Sequence, residues 1–282
     1  MIEARYLEID GALGFVEIVT PDTHTDTDMP TVLCLHTAGQ SGVQWRHVAS
    51  VLAARGYRVI VPDLPGHGRS EPAVDGPVTS IVTFGDWLGK VLDALDVERP
   101  FVMGCSIGGK LTLELATRPS RPLAGAIAME AEAGPGRVNV GGLRRELEDV
   151  AGPSRSDRTY LGTLASIGRS VPEVKARLIA TMHKREDPEI SSSDLVAWGT
   201  HDVRDRLAEI TCPIRLVAGA QDPWIQTGLV EQAATSIESA RPGLATFTLL
   251  ADIGHYPMEE IEDFASVADE WLTELRTAAV LS

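Results

Sequence analysis

The chain is poor in cysteine, short of basic residues and free of long apolar runs. Its three cysteines, Cys34, Cys105 and Cys212, are too few, and odd in number, for a disulfide framework. Each falls in or beside an expected strand, the pattern of buried reduced thiols, so a cytoplasmic location is expected. Lysine and arginine total 25 against 40 aspartates and glutamates, giving a formal charge of −15. Nucleic acid and anionic membrane surfaces would repel such a chain, and neither is expected as a partner. No apolar run approaches the ~20 residues of a membrane-spanning helix. The opening Met1-Ile2-Glu3-Ala4-Arg5 lacks the basic-then-apolar order of a secretory signal. No internal repeat or low-complexity tract is present. What remains is an ordinary globular composition, 44% hydrophobic and 23% charged over 282 residues, which suits one domain carrying an insertion.

Strand and helix patterns alternate. Tyr6 to Ile9 and Phe15 to Val19 read as a hairpin around Asp10-Gly11 and Gly14. Thr31-Val32-Leu33-Cys34-Leu35 is a continuous apolar run, as expected of a strand buried on both faces of a parallel sheet. Helix Trp45 to Ala54 leads to strand Tyr57 to Val61, and helix Ile81 to Leu95 to strand Phe101 to Met103. Strand Leu123 to Met129 follows, then strand Ile214 to Ala218, helix Gly228 to Ser239, strand Thr246 to Leu250 and a last helix from Ile261 to Ala278. Repeated βα units demand an α/β fold, a mostly parallel, eight-stranded sheet with helices on both faces.

One stretch breaks the alternation. Residues 134–206 carry helical patterns at Leu143 to Val150, Tyr160 to Ile167, Glu173 to His183 and Asp194 to Ala197, with no convincing strand. A helical cap is expected there, over a core formed by residues 1–133 and 207–282. Substrate choice is expected to reside in the cap, with Trp198 and His183 as candidate substrate contacts and His201 as a further one.

The chemistry is carried by Gly104-Cys105-Ser106-Ile107-Gly108, between an apolar strand and a helical pattern. A serine on so tight a strand-to-helix turn is strained, and flanking glycines are needed where a Cβ would collide with the sheet. Such a serine needs a base, and the base an orienting acid. His255 lies after the last expected strand, and in a parallel sheet the loops at carboxyl ends gather at one edge. Two residues could be the acid. Asp222 follows the strand that starts at Ile214 and is preferred; Glu130 ends the strand that starts at Leu123 and is the alternative.

In the order serine, acid, histidine, these residues resemble the α/β-hydrolase superfamily, and the resemblance covers nearly the whole chain. His36-Thr37-Ala38-Gly39 through Trp45-Arg46 is similar to that family's oxyanion loop, with Thr37 where glycine is usual. Val61-Pro62-Asp63-Leu64-Pro65-Gly66-His67-Gly68-Arg69-Ser70 looks like its loop after the fourth strand, and Gly219 to Pro223 like its acid loop. The resemblance implies an oxyanion hole made by the backbone amides of Ala38 and Ile107, with Thr37 facing substrate or backbone. His36, Asp63, His67, Arg69 and Ser70 are expected to brace loops. Asp22 to Asp28 alternates polar residues without the glycine and terminal glutamate of a calcium loop, and no metal or cofactor is expected.

The expected activity is therefore hydrolysis of a small or medium carboxylic ester or lactone through an acyl-enzyme, with a small molecule as partner and self-association left open. The alternatives are a carbon–carbon bond hydrolase acting on a diketone-like ring-cleavage product, a cofactor-free perhydrolase, and a small-molecule receptor that retains the triad.

Overall fold

Positive φ at two successive residues, Asp10 at 54° and Gly11 at 82°, closes a hairpin between β1 (Ile2–Ile9) and β2 (Ala12–Val19) in the computed structural model, which describes residues 1–22, 29–148 and 155–281. That turn geometry matches the right-handed twist of the strands it joins. Alternation follows through β3 (Thr31–Leu35), α1 (Ala49–Ala54), β4 (Arg58–Pro62), α2 (Ile81–Ala94), β5 (Phe101–Cys105), α3 (Ile107–Ala116) and β6 (Gly125–Met129). Among the described residues, helices alone precede the next strand: α4 (Val140–Glu148), α5 (Arg155–Ser166), α6 (Glu173–His183) and α7 (Pro188–Thr200). The chain returns through β7 (Ile214–Gly219), α8 (Thr227–Ala240), β8 (Ala245–Leu250), α9 (Pro257–Glu260) and α10 (Phe264–Leu281).

The strands form one eight-stranded sheet in the order β1-β2-β4-β3-β5-β6-β7-β8. β1 and β2 are antiparallel to their neighbours; every other pairing is parallel. Side chains alternate across the sheet, as the two-residue period requires. In β3, Leu33 and Leu35 enter one core, shared with α2, α3 and α8, while Val32 and Cys34 enter a second, shared with α1 and α10. The α/β architecture expected from the alternation is thus present. All three cysteines are buried free thiols. Among the described residues, no helix is long and apolar enough to cross a membrane.

Element ends differ where polar contacts override the apolar pattern. The helix expected from Trp45 is instead a 3-10 turn, Gly42–Trp45, with α1 beginning at Ala49. Asp63 Oδ1 takes the Gly42 amide at 2.7 Å, fixing that turn from outside. α7 is longer than expected because Asp187 caps its first amides and Pro188 occupies its first position, which offsets the poor helix formers Ser191 to Ser193. The expected final helix begins at Phe264 rather than Ile261, and the short α9 precedes it, with Ile261 between them in extended backbone. Residues 149–150 of the helix expected from Leu143, and residues 23–28 of the polar Asp22 to Asp28 stretch, lie outside the described residues.

The helical insertion leaves and rejoins the core at one place. Val203 N donates to Ala133 O at 2.9 Å, and the buried Lys110 ammonium donates to Gly134 O at 2.5 Å and His201 O at 3.4 Å. Beside it, Glu114 of α3 is met by His201 Nε2 at 3.0 Å, Arg118 Nε at 3.0 Å and Arg206 Nη2 at 2.5 Å. Burial works to raise the Glu114 pKa, but the bonds to His201, Arg206 and Arg118 overcome it and hold the carboxyl at about 2. A carboxyl depressed in the folded state stabilises above its unfolded pKa of 4.5, and that contribution is lost as pH falls towards 2. Glu114→Gln is therefore expected to lower stability at neutral pH and to flatten the acid limb between those values, read by urea unfolding at a series of pH values. An unchanged acid limb would remove Glu114 as its source.

Candidate active site

The turn between β5 and α3 forces Ser106 to φ 58° and ψ −115°, a conformation that costs about 1–3 kcal/mol for a residue with a Cβ. Backbone bonds hold it there: Ser106 N donates to Met129 O at 3.0 Å, and Lys110 N to Ser106 O at 2.9 Å. Flanking residues must be glycine. A Cβ on Gly104 would stand 2.2 Å from Gly108 O, and one on Gly108 2.5 Å from Leu35 O.

His255 lies in the loop after β8, whose amides Glu260 gathers. Glu260 Oε2 accepts from Gly254 N at 2.8 Å and Gly168 N at 2.9 Å, and Oε1 from Tyr256 N at 2.9 Å. His255 Nδ1 meets Asp222 Oδ2 at 2.5 Å. The Trp224 ring packs edge-on against the imidazole at 4.7 Å, and Tyr256 at 4.9 Å. Asp222 Oδ1 also accepts from Trp224 N at 2.7 Å, so this residue both shapes its turn and engages the histidine.

Glu130 follows β6 with φ 49° and no exposed surface. Its Oε1 accepts from Gly219 N at 2.5 Å, while the buried Oε2 has no partner at hydrogen-bonding geometry among the described residues. Of the two candidate acids, Asp222 contacts the imidazole and Glu130 stands behind it. Burial, then the Asp222 charge, pushes the Glu130 carboxyl well above the usual carboxylate range, in the direction of its neutral form. Burial also acts to raise Asp222, but the charge and hydrogen bond of His255 outweigh it and keep Asp222 ionised. Ligand atoms of Glu130, Asp222 and His255 lie within 4.8 Å of one another, a spacing that could hold a cation. With Nδ1 already taken by Asp222, however, the arrangement is that of a hydrogen-bonded relay.

The loop after β3 is fixed from inside. Leu64 N donates to His36 Nε2 at 3.1 Å, so the ring proton is on Nδ1, which donates to Thr37 O at 2.9 Å. Burial and the nearby charge of His67 push the His36 pKa down to about 4, keeping that tautomer neutral. Thr37 N and Oγ1 both donate to Gln44 Oε1, at 2.8 and 3.1 Å, turning the hydroxyl towards the protein. The amides of Ala38 and Ile107 have no protein acceptor among the described residues. Asp63 accepts from Gly42 N and Arg69 N, and Ser70 Oγ donates to Asp63 O, so these residues join loop to loop.

Ser106, His255, Ala38 and Thr37 line a cavity of about 560 Å³ whose opposite wall includes Val138, Leu143, Leu195 and Trp198 of the insertion. His183 also reaches it, but with both ring nitrogens engaged, by Glu259 Oε2 at 2.6 Å and Thr163 Oγ1 at 3.3 Å. His201 is turned away towards Glu114. Gln44, Glu259 and Asp194, which organise the loop after β3, carried no distinguishing pattern in the sequence. Trp224, beside the preferred acid, could have been found from that position alone.

A family model described as the alpha/beta hydrolase fold matches residues 30–158. Over 238 residues the chain is 28% identical to a 2-hydroxy-6-oxononadienedioate/2-hydroxy-6-oxononatrienedioate hydrolase of Cupriavidus pinatubonensis, covering 76% of this chain and 81% of that one. A thermophilic esterase from Thermogutta terrifontis is similar in structure with a TM-score of 0.80 and 23% identity, over 97% of this chain and 99% of that one. An enol-lactonase from Burkholderia xenovorans LB400 gives a TM-score of 0.80 at 19% identity, over 95% and 100%. With its sheet order and its serine turn, the chain has the α/β-hydrolase fold.

Proposed function

We propose that this protein is a serine hydrolase that cleaves a small or medium carboxylic ester or lactone through an acyl-enzyme. One observation carries the reading: a strained Ser106 at φ 58° shares a cavity with a histidine whose Nδ1 is held by a buried aspartate at 2.5 Å. Asp222 fixes the tautomer in which His255 Nε2 is free to accept the Ser106 proton. Ser106 Oγ then attacks the acyl carbon, and the Ala38 and Ile107 amides donate to the oxygen that becomes negative. His255 returns the proton to the leaving group, and a water activated by the same nitrogen releases the acid. The insertion, residues 134–206, acts as the cap, and its wall sets Val138, Leu143, Leu195 and Trp198 beside Arg137, Arg158 and Glu186, so it offers apolar surface to an acyl or alcohol portion together with charged groups. Carbon–carbon bond hydrolysis is the second reading, because the Cupriavidus relative is named for 2-hydroxy-6-oxo-dienedioate substrates.

Intact mass after exposure to a fluorophosphonate is expected to show one adduct on the wild type and none on Ser106→Ala. A folded wild type left unlabelled would overturn the hydrolase reading in favour of a ligand receptor. Turnover of ester, lactone and diketone panels then separates the two hydrolytic readings.

The two carboxyls are expected to differ sharply. Asp222→Asn should lower kcat by about 10⁴-fold, whereas Glu130→Gln, which mimics the protonated form that the raised Glu130 pKa favours, should remain within about tenfold. A difference infrared spectrum of wild type against Glu130→Gln at neutral pH is expected to contain a protonated-carboxyl C=O band. Equal losses in the two variants, or no such band, would reverse the assignment.

A further inference from the structure

Three carboxyl groups from elsewhere in the chain meet the loop after β3, those of Asp63, Glu259 and, from the helical insertion, Asp194. Asp194 of α7 is fully buried, and its Oδ2 accepts from Gly39 N at 2.7 Å and from His67 Nε2 at 2.7 Å. Both ring nitrogens of His67 face acceptors, since Nδ1 meets Pro65 O at 3.1 Å, so this ring satisfies its contacts only as the imidazolium. Asp194 Oδ1 is buried without a partner, which leaves the two bonds at Oδ2 as the whole of its engagement among the described residues.

Those bonds act on Ala38 from one side. The peptide between Thr37 and Ala38 is planar, so fixing its carbonyl fixes the opposed N–H. Thr37 O is held by His36 Nδ1 at 2.9 Å and Gln40 N at 3.2 Å. The next peptide plane, between Ala38 and Gly39, is held through its N–H by Asp194. Ala38 thus sits between two pinned planes, and its φ and ψ have nowhere to relax. Gly39 stands at φ 67°, and a Cβ there would lie 2.9 Å from Ser191 Cβ, so α7 packs directly on the loop. Gln44 ties the other end of the loop to Glu259 at 2.9 Å, and Glu259 in turn binds His183 of α6.

We propose that Asp194 is a positioning residue, through which the helical insertion holds the Ala38 amide in its oxyanion-binding orientation. The inference rests on the serine hydrolase reading, in which that amide stabilises the tetrahedral oxygen. It makes the insertion more than a wall of the pocket: displacing α7 would disorganise the oxyanion hole, so an empty or displaced cap would leave Ser106 poorly reactive.

The test uses phosphonylation of the full chain by a fluorophosphonate, whose phosphoryl oxygen takes the oxyanion position, with kinact and KI measured separately. Asp194→Ala removes the acceptor and should lower kinact roughly 10- to 100-fold with KI within about threefold. Asp194→Asn keeps an oxygen for both donors and places its amide nitrogen where Oδ1 has no partner, so it should recover kinact to within about threefold of wild type. If Asp194→Ala does not fold, Asp194→Leu, which fills the volume without an acceptor, is measured in its place. Unchanged kinact in the acceptor-free variant, a loss confined to KI, or equal damage in Asp194→Asn would overturn the positioning role while labelling of wild type still supported the hydrolase. Absence of labelling on wild type itself would remove the hydrolase reading and this inference with it.

Discussion

Everything in the active region depends on how closely the first turn of α3 lies against the ends of β3, β5 and β6. Had Gly109 a side chain, its Cβ would stand 2.3 Å from Met129 O; on Gly108 it would meet Leu35 O at 2.5 Å. These contacts are backbone against backbone, which no rotamer change relieves. They leave Ser106 no route from strand to helix except one through positive φ. The same approach points the first free amide of α3 out of the sheet, where the positive end of a helix favours a developing negative charge. Because β3 is hydrogen-bonded directly to β5, its following loop is delivered beside that amide. Strand order therefore brings together groups that are distant in sequence, at the switch point where α/β sheets bind their ligands.

Loops at such a point turn many amides inward, and this chain answers them with buried carboxyl groups. Asp63, Asp194 and Glu260 each accept from one or more backbone amides, and Glu259 accepts from Gln44. A hydrogen bond to a charged group contributes about 1.5–3 kcal/mol, more than a neutral one, and loss of the acceptor strands a buried N–H. Acidic residues thus do internal work, apart from any effect of the surplus negative charge at the surface.

The parts legible in the sequence were those set by local period and chain order. Buried strands announced themselves as short apolar runs, Ser106 by its glycines, and His255 by its place after a strand. The sequence preferred Asp222 without excluding Glu130, because both follow adjacent strands, β7 and β6, and end in the same space. Their hydrogen bonds separate them: Asp222 meets His255 Nδ1, while Glu130, at positive φ, accepts from the Gly219 amide. The supports of the loop after β3 were less legible still. Gly39 and Asp194 are 155 positions apart, and Gln44 and Glu259 are 215 apart. No local pattern encodes a contact at that distance, and a single aspartate among Ser191 to Ser193 and Leu195 reads as an ordinary polar helix position.

The pair of carboxyls beside His255 also explains how an acidic cluster can serve base catalysis. Two full negative charges within 4.8 Å of each other, as in this cluster, would repel by about 3 kcal/mol or more at an effective dielectric near 20, before any cost of burial. A neutral Glu130, the form its raised pKa favours, would remove that repulsion and leave one negative charge, on Asp222, facing the imidazole. In the proposed mechanism this balance matters in both directions. One charge compensates the imidazolium as it forms in the transition state. A second would favour the protonated ring before the reaction begins, and a protonated ring cannot accept the serine proton. Burial and the Asp222 charge both push Glu130 towards its neutral form, the form in which it adds no second charge beside the imidazole.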